Sequence, residues 1–307
     1  MKLPVVATED EPVAAPSEPP PPPITDERVS WSREAKFLGI HVVAAIGAWY
    51  VPPTRGLILL AIATYFGRMF FITAGYHRYF AHRAYKTSRW FQLVLAFGGL
   101  LASQKGPLWW ASHHRHHHKF SDMPEDTHSP VQRGFWWAHM GWILSPKFKP
   151  TRWDLMRDFE RFPELRFLNR FWILPPLVGG LVMYLLGGLP WLVWGGLVST
   201  TVLYHGTFTI NSLCHVFGSR RFATTDTSKN SLILALITMG EGWHNNHHHY
   251  QSSANQGFRW FELDVSFEIL RVLSWLGIVW DLRRPPARVL AEARPNAPIL
   301  LRVPAPV

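Results

Sequence analysis

The chain of 307 residues contains a single cysteine, Cys214. That excludes an intramolecular disulfide and any cysteine-based zinc or iron–sulfur centre. Charge is also scarce, at 17% Asp, Glu, Lys and Arg. Phe37 to Thr54 carries none, Gly56 to Tyr76 only Arg68, and 40 consecutive residues from Phe171 to Ile210 have no formal charge. The N-terminus lacks the basic start and apolar stretch of a secretory signal. No Gly-x-Gly-x-x-Gly or His-Pro-Gly-Gly motif is present, so the chain shows no dinucleotide or haem module of its own.

The uncharged runs approach the roughly 20 helical residues that cross a hydrocarbon core. Gly187-Gly-Leu-Pro190 interrupts the longest of them and predicts a tight turn. The fold class expected is therefore an all-α integral membrane protein, with four transmembrane helices arranged as two hairpins. Residues 77–170, between the hairpins, hold fifteen Lys/Arg against seven Asp/Glu. The positive-inside rule then puts this segment and both termini on the cytoplasmic side, where a helical cap would sit. Trp90 to Gln104 and Ser231 to Gly240 are too short to span and read as interfacial or cap helices. Arg68 stands alone inside an apolar run, about 13 Å along a helix from His77. The formal charge of +10 follows the hydrophobic runs, so membrane lipids, not nucleic acid, are the expected partner. Three segments are expected: a disordered Pro-rich tail over 1–33, a membrane domain over 34–283, and a C-terminal tail over 284–307. A bacterial inner membrane suits a chain with no targeting segment.

Twelve of the sixteen histidines fall in four places: His77 and His82, the run from His113 to His118, His215, and the run from His244 to His249. All four lie on the expected cytoplasmic side. Imidazole is the commonest side-chain ligand for transition metals. His114, His117 and His118 share one helix face at i, i+3 and i+4, and His244, His247 and His248 repeat that spacing. His77 and His82 stand about 140° apart on an ideal helix. If both bind metal, the helix must bend or the second must reach in from beyond its end. The lone His41, His139 and His205 read as structural, and His113, His116 and His249 as flanking residues off the shared face.

His77-Arg-Tyr-Phe-Ala-His82, His114-Arg-His-His-His118-Lys-Phe and Gly240-Glu-Gly-Trp-His244-Asn-Asn-His-His248 resemble the three histidine boxes of membrane fatty acyl desaturases, nearest to the stearoyl-CoA Δ9 group. Thr73-Ala-Gly75, Arg133-Gly-Phe135, His139-Met-Gly-Trp142 and Asn211-Ser-Leu-Cys-His215 extend the likeness over about residues 35–283. The resemblance implies nine metal ligands: His77, His82, His114, His117, His118, His215, His244, His247 and His248. They would hold two Fe ions cycling between Fe2+ and Fe3+, with Asn211 approaching one of them through water. It also implies second-layer roles for Glu125, Asp126 and Glu241. His113 stands where animal acyl-CoA members tend to carry an acid, which leaves headgroup recognition open.

The activity implied is O2-dependent insertion of a cis double bond, Δ9 by family likeness, into an acyl chain carried on CoA, acyl carrier protein or lipid. No catalytic residue is expected beyond the metal centre. Electrons would come from a separate donor such as a ferredoxin, a rubredoxin or a cytochrome b5 system. The rival readings are a membrane di-iron hydroxylase of fatty acids, alkanes or sterols, and a non-enzymatic metal transporter or scaffold. The second predicts ionisable residues within the spans, which the uncharged stretch disfavours.

Overall fold

The computed structural model describes residues 28–29 and 35–300; most of the expected N-terminal tail lies outside them. Among the described residues the fold is helical, with one two-stranded β-ribbon that pairs Lys86 with Trp280 and Thr87 with Val279 in antiparallel register. Helix α1 spans Ala35–Tyr50, and α2 spans Arg55–Phe70 and runs on as a π-helix over Phe71–Ala81. Thr54 caps α2 by accepting the Leu57 amide at 3.3 Å. Helices α3 (Arg89–Leu100) and α4 (Pro107–Phe120) follow. Helix α5 (Leu174–Trp191) passes through a second π-helical segment, Leu192–Val198, into α6 (Ser199–Ser212).

Among the described residues, two helical stretches are long and apolar enough to cross a membrane, Arg55–Ala81 and Leu174–His215, while Phe37–Tyr50 is shorter. The second stretch is broken where the glycines were expected to turn it. Gly187 (φ −145°, ψ 17°) and Gly188 (φ 64°, ψ −160°) leave helical geometry, and only glycine takes the second conformation readily. Both arms expose large apolar residues, Leu177, Leu181 and Leu185 before the break and Leu189 and Val202 after it, as α1 exposes Val42, Ile46 and Trp49. So broad an apolar surface marks association with a membrane. Arg68 is held inside, where its guanidinium donates to the carbonyls of Thr64 and Leu101 and to Ser199 Oγ at 2.6 Å, and also bonds Thr200.

On one side of these helices, α4, the two short helices α7 (His244–His249) and α8 (Val265–Trp275), and the loops between them pack around the π-helical end of α2. Gly98 and Gly99 of α3 let that helix close on the rings of Phe71 and Tyr76, and a Cβ at either position would collide with them. Arg78 is 1% exposed and pairs with both Glu241 (3.0 Å) and Asp264 (2.9 Å), which ties the π-helix to the C-terminal part of the chain. Residues 284–300 run back over the fold. The Arg294 amide donates to Arg221 O, the Leu300 amide donates to Thr224 O, and Val289 and Ala297 are buried.

Candidate metal centre

The π-helix answers the spacing problem of the first histidine pair. In a π-helix the amide of residue i+5 bonds the carbonyl of residue i, and His82 N donates to His77 O at 3.1 Å. Residues five apart then stack on one face instead of diverging, and the two imidazoles lie 4.8 Å apart between ring centroids.

The structure brings the nine sequence-selected histidines together in two groups. His77, His82, His114, His118 and His247 form one, and His117, His215, His244 and His248 the other; within each, every residue offers a ring nitrogen within 4.8 Å of the others. The H-x-x-H-H faces do not converge on a single point. On α4, His114 and His118 enter the first group and their neighbour His117 the second; on α7, His247 enters the first, and His244 and His248 the second. Adjacent helical side chains project about 100° apart, so each helix serves both groups from a position between them.

The nitrogen contacts in the first group are short: His77 to His247 at 3.0 Å, and His82 to His114, His114 to His118 and His118 to His247 at 2.9 Å, all Nε2 to Nε2. A neutral ring nitrogen is either a donor or an acceptor, yet three of these atoms each face two others, so this is not a hydrogen-bond chain. Two ligands about 2.1 Å from one metal at right angles stand about 3.0 Å apart, which is the spacing found. In the second group, His215 and His244 meet at 3.2 Å, while Nε2 of His117 and of His248 is buried with no partner. The donor set fits a pair of nitrogen-ligated metal ions.

Carboxylates stand behind the imidazoles. His117 Nδ1 donates to Asp126 at 2.9 Å, His215 Nδ1 to Asp122 at 3.1 Å and His248 Nδ1 to Asp226 at 2.7 Å. His77 Nδ1 lies 2.5 Å from Glu241. Such partners fix the tautomer and turn the free lone pair toward a metal. Burial raises the pKa of Asp122, Asp126 and Asp226, but hydrogen bonds and charge from His215, His117 and His248 outweigh it and hold all three below the usual carboxylate range. Burial, then the neighbouring histidines, pushes His82, His114, His118, His244 and His247 well below the ordinary imidazole value. Neutral imidazole is the ligating form.

Of the expected supporting acids, Asp126 and Glu241 stand at the groups. Glu125 does not: its side chain is exposed, and only its backbone carbonyl takes part, accepting from His116 Nε2 at 2.9 Å. The sequence reading missed Asp122, Asp226 and His128. Asp122 sits in the same acidic stretch as Asp126, but Asp226 lies in a polar loop with no distinguishing spacing. His128 packs 4.2 Å from the His117 ring and forms a small cluster with His117 and Asp126. The flanking histidines stay outside both groups. His113 bonds Pro150 O at 3.1 Å and His249 pairs with Glu292 at 3.1 Å. His41, His205 and His139 link in series, ending on Ser212 Oγ.

A cavity of about 960 Å³ reaches the centre. His114 and His128 line it at one end with Asn211; Leu177, Gly180, Leu192 and Gly196 line it between α5 and the segment leading into α6. Gln104 donates to Thr207 Oγ1 at 2.8 Å across its wall, and Trp110 stacks on His114. The arrangement can hold a long apolar chain against a buried metal pair.

Comparison with known proteins gives the same direction. The family model for fatty acid desaturases matches residues 35–272. The chain is 42% identical over 217 residues to Delta-9 acyl-lipid desaturase 1 of Arabidopsis thaliana, covering 70% of this chain and 71% of that protein. It is 36% identical over 273 residues to the palmitoyl-monogalactosyldiacylglycerol delta-7 desaturase, chloroplastic, of the same plant, covering 84% and 72%. It is 33% identical over 302 residues to acyl-CoA 5-desaturase AL21 of Anemone leveillei, covering 93% and 92%.

Proposed function

The chain belongs to the fatty acid desaturase family and introduces a double bond into a fatty acyl chain; on that premise we propose that its nine clustered histidines hold two iron ions and that O2 is the oxidant. The observation that carries this reading is the pairing of two buried imidazole groups beside an apolar cavity that reaches His114 of the first group and His128, which packs on His117 of the second. Iron is preferred to zinc because the reaction is an oxidation, and zinc has no redox chemistry. Bound there, the metal pair supplies oxygen activation. The balance is RCH2–CH2R′ + O2 + 2e− + 2H+ → RCH=CHR′ + 2H2O, so a separate electron donor is required.

The protein's own groups position and exclude. Asp122, Asp126, Asp226 and Glu241 hold their imidazoles in one tautomer. Asn211 stands on the cavity wall one helical turn before His215, placed to hold a water at the second group. The apolar walls fix the substrate so that one carbon pair faces the metals, and the bond Gln104–Thr207 stiffens the wall near that point. We assign the product as the cis-Δ9 alkene on CoA, acyl carrier protein or lipid. The topology proposed is four spans, with the histidine-bearing cap and both termini in the cytoplasm. A bacterial inner membrane rests on the sequence alone.

The test is gas chromatography–mass spectrometry, with double-bond location, of fatty acids from a desaturase-deficient host expressing the chain. New cis-Δ9 monoenes are expected, and their absence in the His117→Ala variant. Hydroxy acids in their place would move the enzyme to the hydroxylases.

A further inference from the structure

Three histidines outside both metal groups, His41, His205 and His139, are joined end to end through the fold. His41 lies on α1, His205 on α6 and His139 at the end of the short helix Phe135–His139. His41 Nδ1 donates to Phe37 O at 2.8 Å, and its Nε2 faces His205 Nε2 at 3.2 Å. His205 Nδ1 meets His139 Nε2 at 3.0 Å, and His139 Nδ1 meets Ser212 Oγ at 3.0 Å. Ser212 Oγ in turn donates to Phe208 O at 3.0 Å. Ionisable side chains in membrane-spanning elements are costly, and histidine chains among them serve as proton relays.

The two ends of the chain fix its hydrogens. A carbonyl only accepts, so His41 carries its hydrogen on Nδ1, and the Ser212 hydroxyl points to Phe208 O. Working back from Ser212, its oxygen accepts from His139 Nδ1, and His139 Nε2 then accepts from His205 Nδ1. Three neutral imidazoles and one hydroxyl bring four hydrogens to these five contacts. The contact left without one is His41 Nε2 to His205 Nε2, the longest of the five. A proton entering that gap completes the set, and every hydrogen beyond it points toward Ser212.

Exposure falls in the same direction. His41 and His205 are partly exposed, His139 is 6% exposed and Ser212 is fully buried. His41 is six residues, about 9 Å, from the start of α1, the end that the proposed topology puts in the cytoplasm. Ser212 follows Asn211 of the cavity wall and stands three residues before His215 of the four-histidine group. Between these ends the rings run behind Phe37 and Phe208, which line the cavity; His41 is 4.8 Å from the first and His139 5.7 Å from the second. A proton taking this route bypasses the acyl chain. Burial, then the charge of His205, pulls the His139 pKa down to about 4, so that ring rests neutral and gives up an added proton readily.

We propose that His41, His205, His139 and Ser212 form a proton relay that feeds the metal end of the cavity. The proposal rests on the desaturase reading, whose reaction consumes two protons per double bond. In each pass a proton from solvent binds His205 Nε2. The Nδ1 proton of His205 moves to His139 Nε2, the Nδ1 proton of His139 moves to Ser212 Oγ, and the serine releases its own hydroxyl proton to the water at Asn211. One N–H or O–H bond forms for each one broken. The rings and the hydroxyl then turn back to the starting order before the second proton passes.

Two measurements on the full chain in nanodiscs test the relay. The first is 15N NMR of histidine-labelled protein loaded with zinc, a diamagnetic ion, with His205 assigned by the loss of its signals in His205→Gln. His205 is expected to carry its hydrogen on Nδ1 with Nε2 bare; the reverse tautomer overturns the proposal, because the hydrogens would then point away from the centre. The second is a single turnover of the iron-loaded, dithionite-reduced chain in H2O and in D2O. His205→Gln keeps a hydrogen-bonding side chain but does not pass protons. It is expected to slow alkene formation about tenfold and to enlarge the solvent isotope effect, with iron content and thermal midpoint unchanged. His41→Gln, at the partly exposed end, carries the same expectation and decides the matter if His205→Gln fails to fold. A wild-type rate in a folded variant overturns the relay, as does a slower rate that tracks lost iron or leaves the isotope effect unchanged. Failure of the desaturase reading looks different: reduced wild type makes no alkene, while the NMR spectrum still reports the order of the hydrogens.

Discussion

Asp226 accepts a 2.7 Å hydrogen bond from His248 Nδ1, which leaves His248 Nε2 as the ring nitrogen that faces the other three histidines of its group. The carboxylate is 5% exposed, so water does not compete for the bond. It gives a ring with two nitrogens one fixed orientation, as a metal ligand requires.

Removing that carboxylate should therefore act on metal affinity before it acts on the fold. Asp226→Ala is expected to lower the affinity of one of the two metal positions by about 10- to 100-fold. Chelator competition followed by metal analysis checks this, with the five-histidine group as internal reference. Equal loss from both positions would mean that Asp226 supports the cap as a whole.

His117→Ala should abolish turnover with membrane insertion intact, since His117 lies in the four-histidine group on α4 and outside the two long apolar stretches. His249→Ala should be much milder, because its ring lies outside both groups, against Phe222 and Glu292. Turnover and membrane fractionation of the two variants, side by side, check the division of the last cluster. Complete loss in His249→Ala would contradict it.

Arg78 is the fold's sensitive charge. It is sealed between Glu241 and Asp264, and Arg78→Met leaves two buried carboxylates uncompensated. The expected cost is about 3–5 kcal/mol, read as a lowered thermal midpoint. Arg83→Met, at a pair 3.5 Å long with the arginine 63% exposed, should change stability by less than about 1 kcal/mol.

His113 gives the pH dependence a defined sign. Burial, then the charge of Arg152, pushes its pKa down to about 3. Its unfolded value is about 6.5, so between these limits the unfolded chain binds a proton that the folded one refuses. Stability is complete above about pH 6.5 and falls as pH drops, by about 1.4 kcal/mol per unit for this group. His82, His114, His118, His244 and His247, pushed down by burial as well, add to the same slope. In His113→Gln the slope between pH 6.5 and 5 should be shallower by about one proton; parallel curves for wild type and variant would contradict the assignment.

Cavity length should set chain length. Gly180 lines the cavity, and its nearest neighbour to an added Cβ is the end of Leu192, at 3.5 Å. Gly180→Phe is expected to shift products toward shorter acyl chains, since excluding a methylene changes discrimination by about 1–3 kcal/mol. The fatty acid profile of the expressing host reports the shift.

The H-x-x-H-H faces of α4 and α7 were legible in the sequence because spacing and helix geometry act locally, whereas His77, His82 and His215 joined them through the likeness to the desaturase boxes. The glycine turn at Gly187–Gly188 was legible for the same reason. What it did not reveal depends on contacts across the fold. The π-helix that aligns His77 with His82 is stabilised by packing against α3 and by the Arg78 pairs, which no local pattern announces. The split of α4 and α7 between two groups needs both helices in place. Asp122 and Asp226 reach the centre from loops 93 and 22 residues away from their histidines, so their roles have no signature in spacing. Glu125 shows the converse: adjacency to Asp126 suggested a role, but the turn points its carboxylate outward.

The most direct test of the central claim is the metal content of the purified, detergent-solubilised chain, measured by mass spectrometry together with protein by amino-acid analysis. Two irons per chain are expected in the wild type, with loss confined to one position in His244→Ala and to the other in His82→Ala. A single metal per chain, or zinc in place of iron after expression with both available, would contradict a two-iron centre built from the five- and four-histidine groups.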